Sequence, residues 1–343
     1  MPERTYRVAQ VAEPGAPLTV VDLPIHEPGP GHVRVAVEAC GVCHTDTNFV
    51  DGTQPGLTFP ITPGHEVAGV IDAVGRDVHP WQVGDRVAIG WSGGYCGYCP
   101  PCRGGDFVHC AQQWVTGAAY PGGYAEMITA PQTALARIPE ELSAADAAPM
   151  ACAGVTMFNS IRRTQAGPGD VVAILGLGGL GHLGVQFAAK MGFRTVAIAR
   201  GAEKAELARS LGAHHYIDAT AGSVADELRR LGGAAVVAAT AANADAISAT
   251  VDGLAPHGEL LTLAVLTDSL HVSPLQLIAS SGTVHGHPGG VARDVEDTMN
   301  FAALQGIRPM VEPLPLDKAA EGYDRMLANQ ARFRVVLTTA RTP

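Results

Sequence analysis

Three side chains of the types that bind zinc stand far apart along the chain. Cys43 and His65 lie near its start, and Cys152 comes much later. Two thiolates and one imidazole form a tetrahedral ligand set whose fourth position stays open for water or a substrate oxygen. A zinc ion held in this way lowers the pKa of bound water to ~7 and polarises a bound oxygen. The set predicts a catalytic zinc site, although each residue alone could be a buried core residue.

Four further cysteines crowd into one short segment. Cys96, Cys99, Cys102 and Cys110 have the spacing C-x2-C-x2-C-x7-C. Four thiolates with no open position predict a structural zinc ion that closes a loop too polar to build its own core. The alternatives are four free thiols and an iron–sulfur cluster, which the last gap argues against. Cys40 is left over. In a reducing compartment, clustered thiols indicate metal ligands rather than disulfides.

A glycine-rich turn follows the apolar run 171–175. Its sequence, Gly176-Leu177-Gly178-Gly179-Leu180-Gly181, has the GxGxxG pattern and precedes a helix-length segment. A strand, such a turn and a helix together bind a dinucleotide pyrophosphate at the helix N-terminus. The alternative is a tight turn without a ligand. We expect Gly176, Gly178, Gly179, Leu180 and Gly181 to contact the cofactor.

The end of the next strand decides which dinucleotide is preferred. NAD enzymes place Asp or Glu there to bind the ribose 2′-hydroxyl. This chain has Ala199 followed by Arg200, so no carboxylate repels a 2′-phosphate and a guanidinium is available to bind it. The pattern favours NADP(H) over NAD(H), with a solvated surface charge as the alternative for Arg200. Lys204 is a further candidate for contact with the cofactor.

Two patterns of predicted elements divide the chain. Residues 1–153 hold short valine-rich runs, such as 33–37 and 67–71, cut by Gly and Pro; they predict a small β-barrel. In residues 154–290 apolar runs alternate with helix-length segments, which predicts a parallel, doubly wound sheet. Strands are expected there at 171–175, 195–199, 236–239 and 260–263, and helices up to 191, at 203–211 and from Ser223. The tail has helical patterns at 296–305 and 319–328 and a last strand at 334–338.

Several of these motifs occur in an order typical of one family. The segments Cys40-Gly41-Val42-Cys43-His44-Thr45-Asp46, Gly64-His65-Glu66 and Cys152-Ala153-Gly154 resemble those of the zinc-dependent medium-chain alcohol dehydrogenases. The resemblance runs over nearly the whole chain. It implies an α/β protein with a GroES-like β-barrel catalytic domain, residues 1–153 completed by about 291–343. Residues 154–290 would then form a Rossmann cofactor domain.

The resemblance also implies roles for single residues around the catalytic zinc. Glu66 is a further, transient ligand or a close neighbour of the ion, with a solvated acid as the alternative. Asp46 accepts a hydrogen bond from the zinc-binding imidazole and fixes its tautomer. Thr45 passes the substrate proton outward. Many relatives have a histidine where this chain has Asn48, and an amide does not titrate near pH 7; the last step of the proton relay is therefore left to water.

Contacts with cofactor and substrate follow from the same resemblance. His44 and Arg334 are expected at the cofactor pyrophosphate, with an edge-strand surface charge as the alternative for Arg334. Phe49, Trp91 and Trp114 are expected along the substrate channel, where large rings favour apolar or aromatic substrates; core packing is the alternative for each. The pairs His214-His215 and His285/His287 have metal-like spacing but are interpreted as ordinary loop histidines.

Composition limits the classes of partner. The chain has 343 residues, of which 47% are hydrophobic and 16% charged, enough for two domains with buried cores. A net charge of −10 without any basic run argues against nucleic acid as a partner. No apolar run approaches the ~20 residues that span a bilayer, and no signal-like segment is present, so a cytoplasmic protein with no membrane partner is expected. The relatives indicate a homo-oligomer, a dimer or a tetramer.

These observations favour one function. We expect a zinc-dependent alcohol dehydrogenase or aldehyde reductase that moves a hydride between an alcohol or aldehyde and a nicotinamide cofactor. The nearest alternative is a zinc-free quinone or enoyl reductase of the same superfamily, whose members lack the ligand set and the cysteine segment. The other is a non-catalytic protein that binds nucleotide and zinc.

Overall fold

The computed structural model describes residues 4–339, which form two units. The first unit holds the described residues of Met1–Cys152, Gly290–Leu304 and Pro309–Pro343. The second holds Ala153–Gly289 and Gln305–Arg308. Each unit is built around its own main sheet. Within residues 4–339, no helix has both the length and the apolar character needed to cross a membrane.

Among the described residues, nine strands precede the second unit, and they include both strands predicted from the valine-rich runs. They are β1 (Thr5–Gln10), β2 (Thr19–Pro24), β3 (His32–Gly41), β4 (Val67–Val74), β5 (Arg86–Ile89), β6 (Ser92–Gly94), β7 (Trp114–Val115), β8 (Met127–Pro131) and β9 (Leu135–Arg137).

Strand β3 is the centre of the first unit. Val33, Val35 and Val37 alternate along it and are buried in the core of this unit. This period of two is what a strand needs to place one row of side chains on a single face. β3 pairs antiparallel with β4 and with β8, and β4 continues to β5 and β9. The sheet thereby fixes where β3 ends and where β4 begins, which is where the functional residues lie.

The second unit is a six-stranded parallel sheet in the order β12-β11-β10-β13-β14-β15. Its strands are β10 (Val171–Leu175), β11 (Arg194–Ala199), β12 (His215–Asp218), β13 (Ala234–Ala239), β14 (Leu254–Thr262) and β15 (Thr283–Gly286). The predicted doubly wound parallel sheet is confirmed. The order reverses between β10 and β13, the position where open α/β sheets bind nucleotides.

The four strands predicted in this sheet are present, but β12 and β15 were not predicted. Both are edge strands of the described sheet and carry exposed or half-buried residues. A strand covered on both faces reads as a continuous apolar run, as β10 does, whereas an edge strand gives a weaker signal. The missed strands are therefore those with the least burial.

The chain returns to the first unit for its last two strands, β16 (Val311–Pro315) and β17 (Arg334–Thr338). β17 pairs antiparallel with β3, and Val336 lies opposite Gly41. This pairing brings the start of β17 beside the end of β3. The predicted last strand at 334–338 is confirmed.

Helices connect these strands. They are α1 (Thr47–Val50), α2 (Pro100–Arg103), α3 (Ala144–Pro149), α4 (Val155–Arg162), α5 (Gly181–Lys190), α6 (Ala205–Ser210), α7 (Val224–Arg230), α8 (Ala244–Ser248), α9 (Pro274–Ser280), α10 (Ala292–Gln305) and α11 (Ala319–Leu327). Short 3₁₀ helices occur at His44–Asp46, Phe107–His109, Gln132–Ala134, Ala202–Lys204, Val251–Gly253 and Leu316–Lys318.

Most predicted helices match within a residue or two, and one starts earlier. Ser223 caps α7 as predicted, because its side chain accepts the N–H of Asp226. Helix α10 begins at Ala292, four residues before the predicted start at 296. The Asp294 side chain accepts the N–H of Val291 and so extends the helix toward its N-terminus. Helices α3 and α4, which flank Cys152, were not predicted.

Candidate active site and metal centres

Cys43 and His65 are brought together by the pairing of β3 with β4. Cys40 lies opposite Val67, and the Gly41 N–H donates to the Glu66 carbonyl over 2.9 Å. The chain leaves β3 and enters the 3₁₀ helix His44–Asp46 immediately after Cys43, while His65 stands just before β4. Both side chains are buried. Two segments that are separate in sequence thus face one another at the same end of the sheet.

Cys152 reaches this place from a helical turn. Helix α3 ends at Pro149, and Met150–Gly154 continues as a single π-helical turn. Proline removes a backbone donor from a helix interior, and π turns often accompany functional sites. The Cys152 Sγ lies 4.0 Å from the Cys43 Sγ.

The ligand atoms of Cys43, His65, Glu66 and Cys152 all lie within 4.8 Å of one another. His65 Nε2 and Glu66 Oε2 are buried and have no hydrogen-bond partner among the described residues. Buried polar atoms normally have a partner, because leaving one without costs about 1–3 kcal/mol. Two sulfurs, an imidazole nitrogen and a carboxylate oxygen are ligands that suit zinc. The donor set therefore fits this ion.

Asp46 orients the imidazole of His65. Its Oδ1 accepts from His65 Nδ1 over 2.9 Å, and its Oδ2 accepts from the Cys43 N–H over 2.9 Å and from the Tyr124 hydroxyl over 2.8 Å. Asp46, His65 and Tyr124 are fully buried. Because Nδ1 donates to Asp46, the lone pair of a neutral imidazole is on Nε2, on the side of the thiols. The arrangement gives His65 the tautomer that a metal ligand requires.

Electrostatics within this group separate the two thiols. The hydrogen bond from the Cys152 thiol lowers the pKa of Cys43 well below its usual value, helped by Arg334 and His65. The same hydrogen bond, together with burial, raises the pKa of Cys152. Burial raises the pKa of Glu66 to about 8, against the opposing effect of Arg334. A cation at this place would favour the deprotonated form of all three groups.

Arg334 lies behind Glu66 at the start of β17. Its Nη1 is 3.3 Å from Glu66 Oε1 and donates to the Val42 carbonyl over 3.3 Å. Only 4% of the residue is exposed. Burial alone would lower its pKa, but Glu66 and Cys43 outweigh burial and raise it. Arg334 is thus a fixed positive charge next to the metal-binding group. The sequence prediction placed it at the cofactor and did not foresee this ion pair.

The other cysteine group forms a self-contained lobe. The Sγ atoms of Cys96, Cys99, Cys102 and Cys110 lie within 4.8 Å of one another. The Cys110 Sγ is 3.6 Å from that of Cys96 and 3.9 Å from that of Cys99. Sulfurs bound tetrahedrally at ~2.3 Å from zinc are about 3.8 Å apart, so these distances fit a closed four-thiolate site.

Backbone donors support the thiolates of this lobe. The Cys96 N–H points to the Cys110 Sγ over 3.3 Å, and the Gln112 N–H does so over 3.4 Å. Backbone N–H groups of Cys102 and Ala111 lower the pKa of Cys99 to about 6. Burial raises the pKa of Cys102 to about 12. Cys99 is therefore ready to ionise at neutral pH, whereas Cys102 needs a nearby cation to do so.

The glycine-rich turn between β10 and α5 has the features that a bound pyrophosphate requires. Gly176 has φ +101°, which a residue with a side chain rarely adopts. A Cβ at Gly181 would collide with the Gly176 carbonyl, so only glycine lets α5 begin so close to the turn. A Cβ at Gly178 would meet no atom within 4 Å, so its backbone faces open space. No side chain of the described residues caps α5, which leaves its N-terminus available to an anion.

Comparisons with known proteins agree with this site. Residues 29–140 match the alcohol dehydrogenase GroES-like domain, and residues 179–303 match the zinc-binding dehydrogenase family. The chain is 43% identical over 335 residues to the alcohol dehydrogenase notN of Aspergillus sp. (strain MF297-2), covering 98% of each chain. It is 35% identical over 333 residues to an alcohol dehydrogenase of Geobacillus stearothermophilus, covering 96% of this chain and 99% of that one.

The chain belongs to the zinc-type medium-chain dehydrogenase/reductase family. A solved structure described as an NAD-dependent alcohol dehydrogenase superposes with a TM-score of 0.89 at 28% identity, covering 97% of this chain and 99% of that one. The predicted combination of a GroES-like domain and a Rossmann domain is confirmed. This protein is an oxidoreductase of the alcohol dehydrogenase family.

In this member of the alcohol dehydrogenase family, an exposed arginine follows the strand end that is predicted to select the cofactor. Ala199 is buried at the end of β11, Arg200 is exposed, and Lys204 is half-buried in the 3₁₀ helix Ala202–Lys204. The sequence analysis missed Asp218, which lies opposite Ala199 at the end of β12. Its Oδ1 accepts from the Gly201 N–H over 2.9 Å, so a carboxylate does hold the turn that follows Arg200.

One carboxylate oxygen of Asp218 accepts several hydrogen bonds from the protein itself. The same Oδ1 also accepts from the N–H and the hydroxyl of Thr220 over 2.9 and 2.7 Å. These bonds lower the pKa of Asp218. The Tyr216 hydroxyl donates to the Gly201 carbonyl over 2.5 Å and fixes the other side of that residue. The signal that could have pointed to Asp218 was an acid at the end of the short strand β12, which was not predicted, beside the predicted strand β11.

Of the three aromatic residues predicted along the substrate channel, two lie beside the metal-binding group and one does not. Phe49 is buried 5.6 Å from the ring of Trp91, which lies edge-on to His65 at 5.1 Å. These two rings lie beside the metal-binding group. Trp114 lies elsewhere: its ring stacks with His32 at 6.4 Å, and 40% of the residue is exposed. Thr45, half-buried, follows Cys43 closely in the 3₁₀ helix His44–Asp46.

His44 is exposed and its carbonyl accepts from the Thr47 hydroxyl. Two of the histidines interpreted as loop residues lie in strands instead, His215 in β12 and His285 in β15, and both contact side chains of neighbouring strands. His285 Nε2 is 3.2 Å from Glu259, and His215 Nε2 accepts from Arg194. Within residues 4–339 the two metal-binding groups described above contain none of these histidines.

Proposed function

We propose that this protein is a zinc-dependent alcohol dehydrogenase or aldehyde reductase. It would move a hydride between the carbon that bears the substrate oxygen and a nicotinamide cofactor. The observation that carries this proposal is the convergence of Cys43, His65, Glu66 and Cys152, in which His65 Nε2 and Glu66 Oε2 are buried without a hydrogen-bond partner among the described residues. Alcohol dehydrogenase relatives that match almost the full chain support the same reaction class.

The protein residues would hold the metal and handle the proton. Cys43, His65 and Cys152 are the ligands, and a zinc ion bound to them would supply Lewis acidity toward the substrate oxygen. Asp46 keeps His65 in the orientation and tautomer of a ligand. The Thr45 hydroxyl exchanges the proton of the substrate oxygen, and water completes the relay because Asn48 does not titrate near pH 7.

Glu66 is proposed as an additional metal ligand. The metal and Arg334 would compete for its carboxylate. Its carboxylate lies in the metal-binding group and also 3.3 Å from the Arg334 guanidinium. Glu66 would thus be placed to act as a further ligand of a bound metal or to remain paired with Arg334. Arg334 in turn keeps its predicted contact with the cofactor pyrophosphate as part of this proposal, together with His44.

Cys96, Cys99, Cys102 and Cys110 are proposed to bind a second, structural zinc ion. Four sulfurs complete the coordination and leave no position for substrate. The lobe has a core of three buried cysteines with Tyr95, Cys96 and Phe107 packed against them, too few groups to hold it without a metal. We therefore expect two zinc ions per chain.

NADP(H) is proposed as the favoured cofactor over NAD(H). The Gly176–Gly181 turn would contact the pyrophosphate with the N-terminus of α5, through Gly176, Gly178, Gly179, Leu180 and Gly181. Arg200 is exposed at the strand end without an acidic residue at position 199, and Lys204 lies close by in sequence. Asp218 Oδ1 is already engaged by three donors from the protein itself.

The cofactor proposal predicts a selective effect of Arg200→Ala. A hydrogen bond to a charged group contributes about 1.5–3 kcal/mol, so the variant should bind NADPH one to two orders of magnitude more weakly and NADH almost unchanged. Fluorescence titration with both reduced cofactors measures this. Arg209→Ala, another exposed arginine of the same unit, is the control. Equal losses for NADPH and NADH would refute the assignment.

The reaction is tested by initial rates on a panel of alcohols and aldehydes, including benzyl alcohol, with each cofactor, before and after chelation. We expect turnover that falls at least a hundredfold on removal of zinc and returns when zinc is added. Full activity without metal on quinones or enoyl substrates would favour the zinc-free reductase branch instead. Binding of cofactor and zinc without any turnover would leave the non-catalytic alternative.

The protein is also proposed to act as a homo-oligomer, a dimer or a tetramer, by analogy with its relatives. Val265, Leu275 and Ile278 are strongly exposed in the second unit, which is consistent with a covered surface in an assembly. Sedimentation equilibrium of the purified protein decides between monomer, dimer and tetramer.

A further inference from the structure

Tyr124 carries a hydroxyl group that neither the ligand set nor the cofactor turn uses. The residue is fully buried, and its hydroxyl donates to Asp46 Oδ2 over 2.8 Å. Asp46 in turn holds the imidazole of His65 through its other oxygen. We propose that Tyr124 is a positioning residue that sets metal affinity through Asp46 and His65. The inference rests on the proposed zinc site at Cys43.

The backbone leaves Tyr124 little freedom to sit elsewhere. The Tyr124 N–H donates to the Pro63 carbonyl, and its own carbonyl accepts from Ala9. Gly123 N–H donates to the Gly64 carbonyl, so the two segments run side by side. Gly64 has φ +100°, and a Cβ there would collide with the Tyr124 ring. These hydrogen bonds and the contact with Gly64 therefore hold the ring against the segment that carries His65.

The hydroxyl acts on the oxygen of Asp46 that does not bind His65. That oxygen has two donors, the Cys43 N–H and Tyr124, while Oδ1 has His65. With both donors present, the carboxylate plane is fixed and Oδ1 stays aligned with Nδ1. Burial and the nearby Asp46 charge raise the pKa of Tyr124, so its hydroxyl keeps its proton and remains a donor.

Removal of this donor should loosen the imidazole without removing any ligand. Outer partners of metal ligands typically change metal affinity 10- to 100-fold, and Tyr124 lies one step further out than Asp46. Asp46 would keep the Cys43 N–H, so it stays in place but loses part of its orientation. We expect the lower end of that range, about tenfold weaker zinc binding at the Cys43 site.

The test compares zinc affinity in Tyr124→Phe and in a matched control. Phe keeps the buried ring and removes only the hydroxyl. Tyr120→Phe is the control, since Tyr120 is a half-buried tyrosine whose hydroxyl donates to the Gly93 carbonyl, outside the metal group. Chelator competition should give a zinc Kd about tenfold higher in Tyr124→Phe and unchanged in Tyr120→Phe. In cobalt-substituted Tyr124→Phe, only the visible absorption bands of the Cys43 site should shift. The bands of the four-cysteine lobe serve as the internal reference.

A double-mutant cycle with Asp46→Asn shows whether Tyr124 acts through Asp46. If it does, Tyr124→Phe should add less than a twofold loss of zinc affinity in the Asp46→Asn background. Additive losses, or wild-type affinity and spectrum in Tyr124→Phe, would overturn the inference while the proposed function stands. A wild-type protein that holds no metal at Cys43 would overturn both.

Discussion

The two metal-binding groups of the first unit are built in opposite ways. Cys96, Cys99, Cys102 and Cys110 come from one short segment, and their ligand atoms are all sulfur. Cys43, His65 and Cys152 come from three distant segments and are joined by Glu66. The first group needs only a local turn to form. The second needs the whole sheet of the unit, because β3, β4 and the turn after α3 must all be in place.

The surroundings of the two groups differ as much as their ligands. In the four-cysteine lobe the sulfurs receive backbone N–H groups. Around His65 there are a buried carboxylate, a buried guanidinium and the Tyr124 hydroxyl. A site with ionisable neighbours and an open coordination position is suited to catalysis. A closed set of four thiolates is suited to a structural role. If both groups bind zinc as proposed, the residues around each site would determine whether the ion has a catalytic or a structural role.

The largest effect is expected from Cys43→Ala. Loss of one of three protein ligands should lower kcat/KM at least 10³-fold, about 4 kcal/mol of transition-state stabilisation, and reduce zinc from two ions per chain to one. Steady-state kinetics with metal analysis measures both. Cys40→Ala is the control: this buried thiol lies outside both groups, so the zinc content should stay at two. Activity close to wild type in Cys43→Ala would remove the distinction between the two sites.

Cys99→Ala should lower stability and leave the catalytic activity of the folded protein nearly unchanged. The lobe would lose its zinc and its order, so we expect rapid proteolysis between about residues 95 and 113 and a lower thermal midpoint. The fraction that stays folded should keep kcat within about threefold of wild type, since the Cys43 group is built by the sheet. Limited proteolysis, calorimetry and kinetics on the same sample check this. A variant as inactive as Cys43→Ala would show that the lobe is not merely structural.

A smaller effect is expected from the protonation of Glu66 on the pH dependence of stability, in protein from which a chelator has removed the metal (the chelated protein). Its pKa of about 8 is higher than the ~4.3 of an unfolded chain. The folded state therefore binds the extra proton between these values, and stability falls as pH rises from 5 to 8. Glu66→Gln has no such proton, so chelated wild type should lose up to a few kcal/mol relative to this variant over that range. Denaturant unfolding of both chelated proteins at several pH values measures this difference. Parallel plots of the free energy of unfolding against pH for wild type and Glu66→Gln would contradict the prediction.

Local patterns account for the parts of the structure that were predicted. The C-x2-C-x2-C-x7-C segment and the Gly176–Gly181 turn depend on neighbouring residues, so their spacing was enough to identify them. The strands β10, β11, β13 and β14 were visible because burial on both faces makes continuous apolar runs. The edge strands β12 and β15 lack that burial and were missed.

The parts that were not predicted depend on contacts between distant segments. The Tyr124 hydroxyl meets Asp46 across 78 positions, and Arg334 meets Val42 across 292. The π-helical turn that presents Cys152 follows helix α3, which has no strong periodic signal of its own. Asp218 acts on Gly201 from a neighbouring strand. None of these partners can be paired from spacing, since a sequence does not state which segments become neighbours.

The sequence by itself determined the family, the two kinds of sheet and the residue types that can bind zinc and a dinucleotide, because motifs and periodicity are local properties of the chain. Tertiary structure alone decided which further partners these buried groups have: the Tyr124 hydroxyl for Asp46, and Arg334 for Glu66. Burial and distance set the strength of a charge interaction, and both exist only once the sheet has closed over these residues.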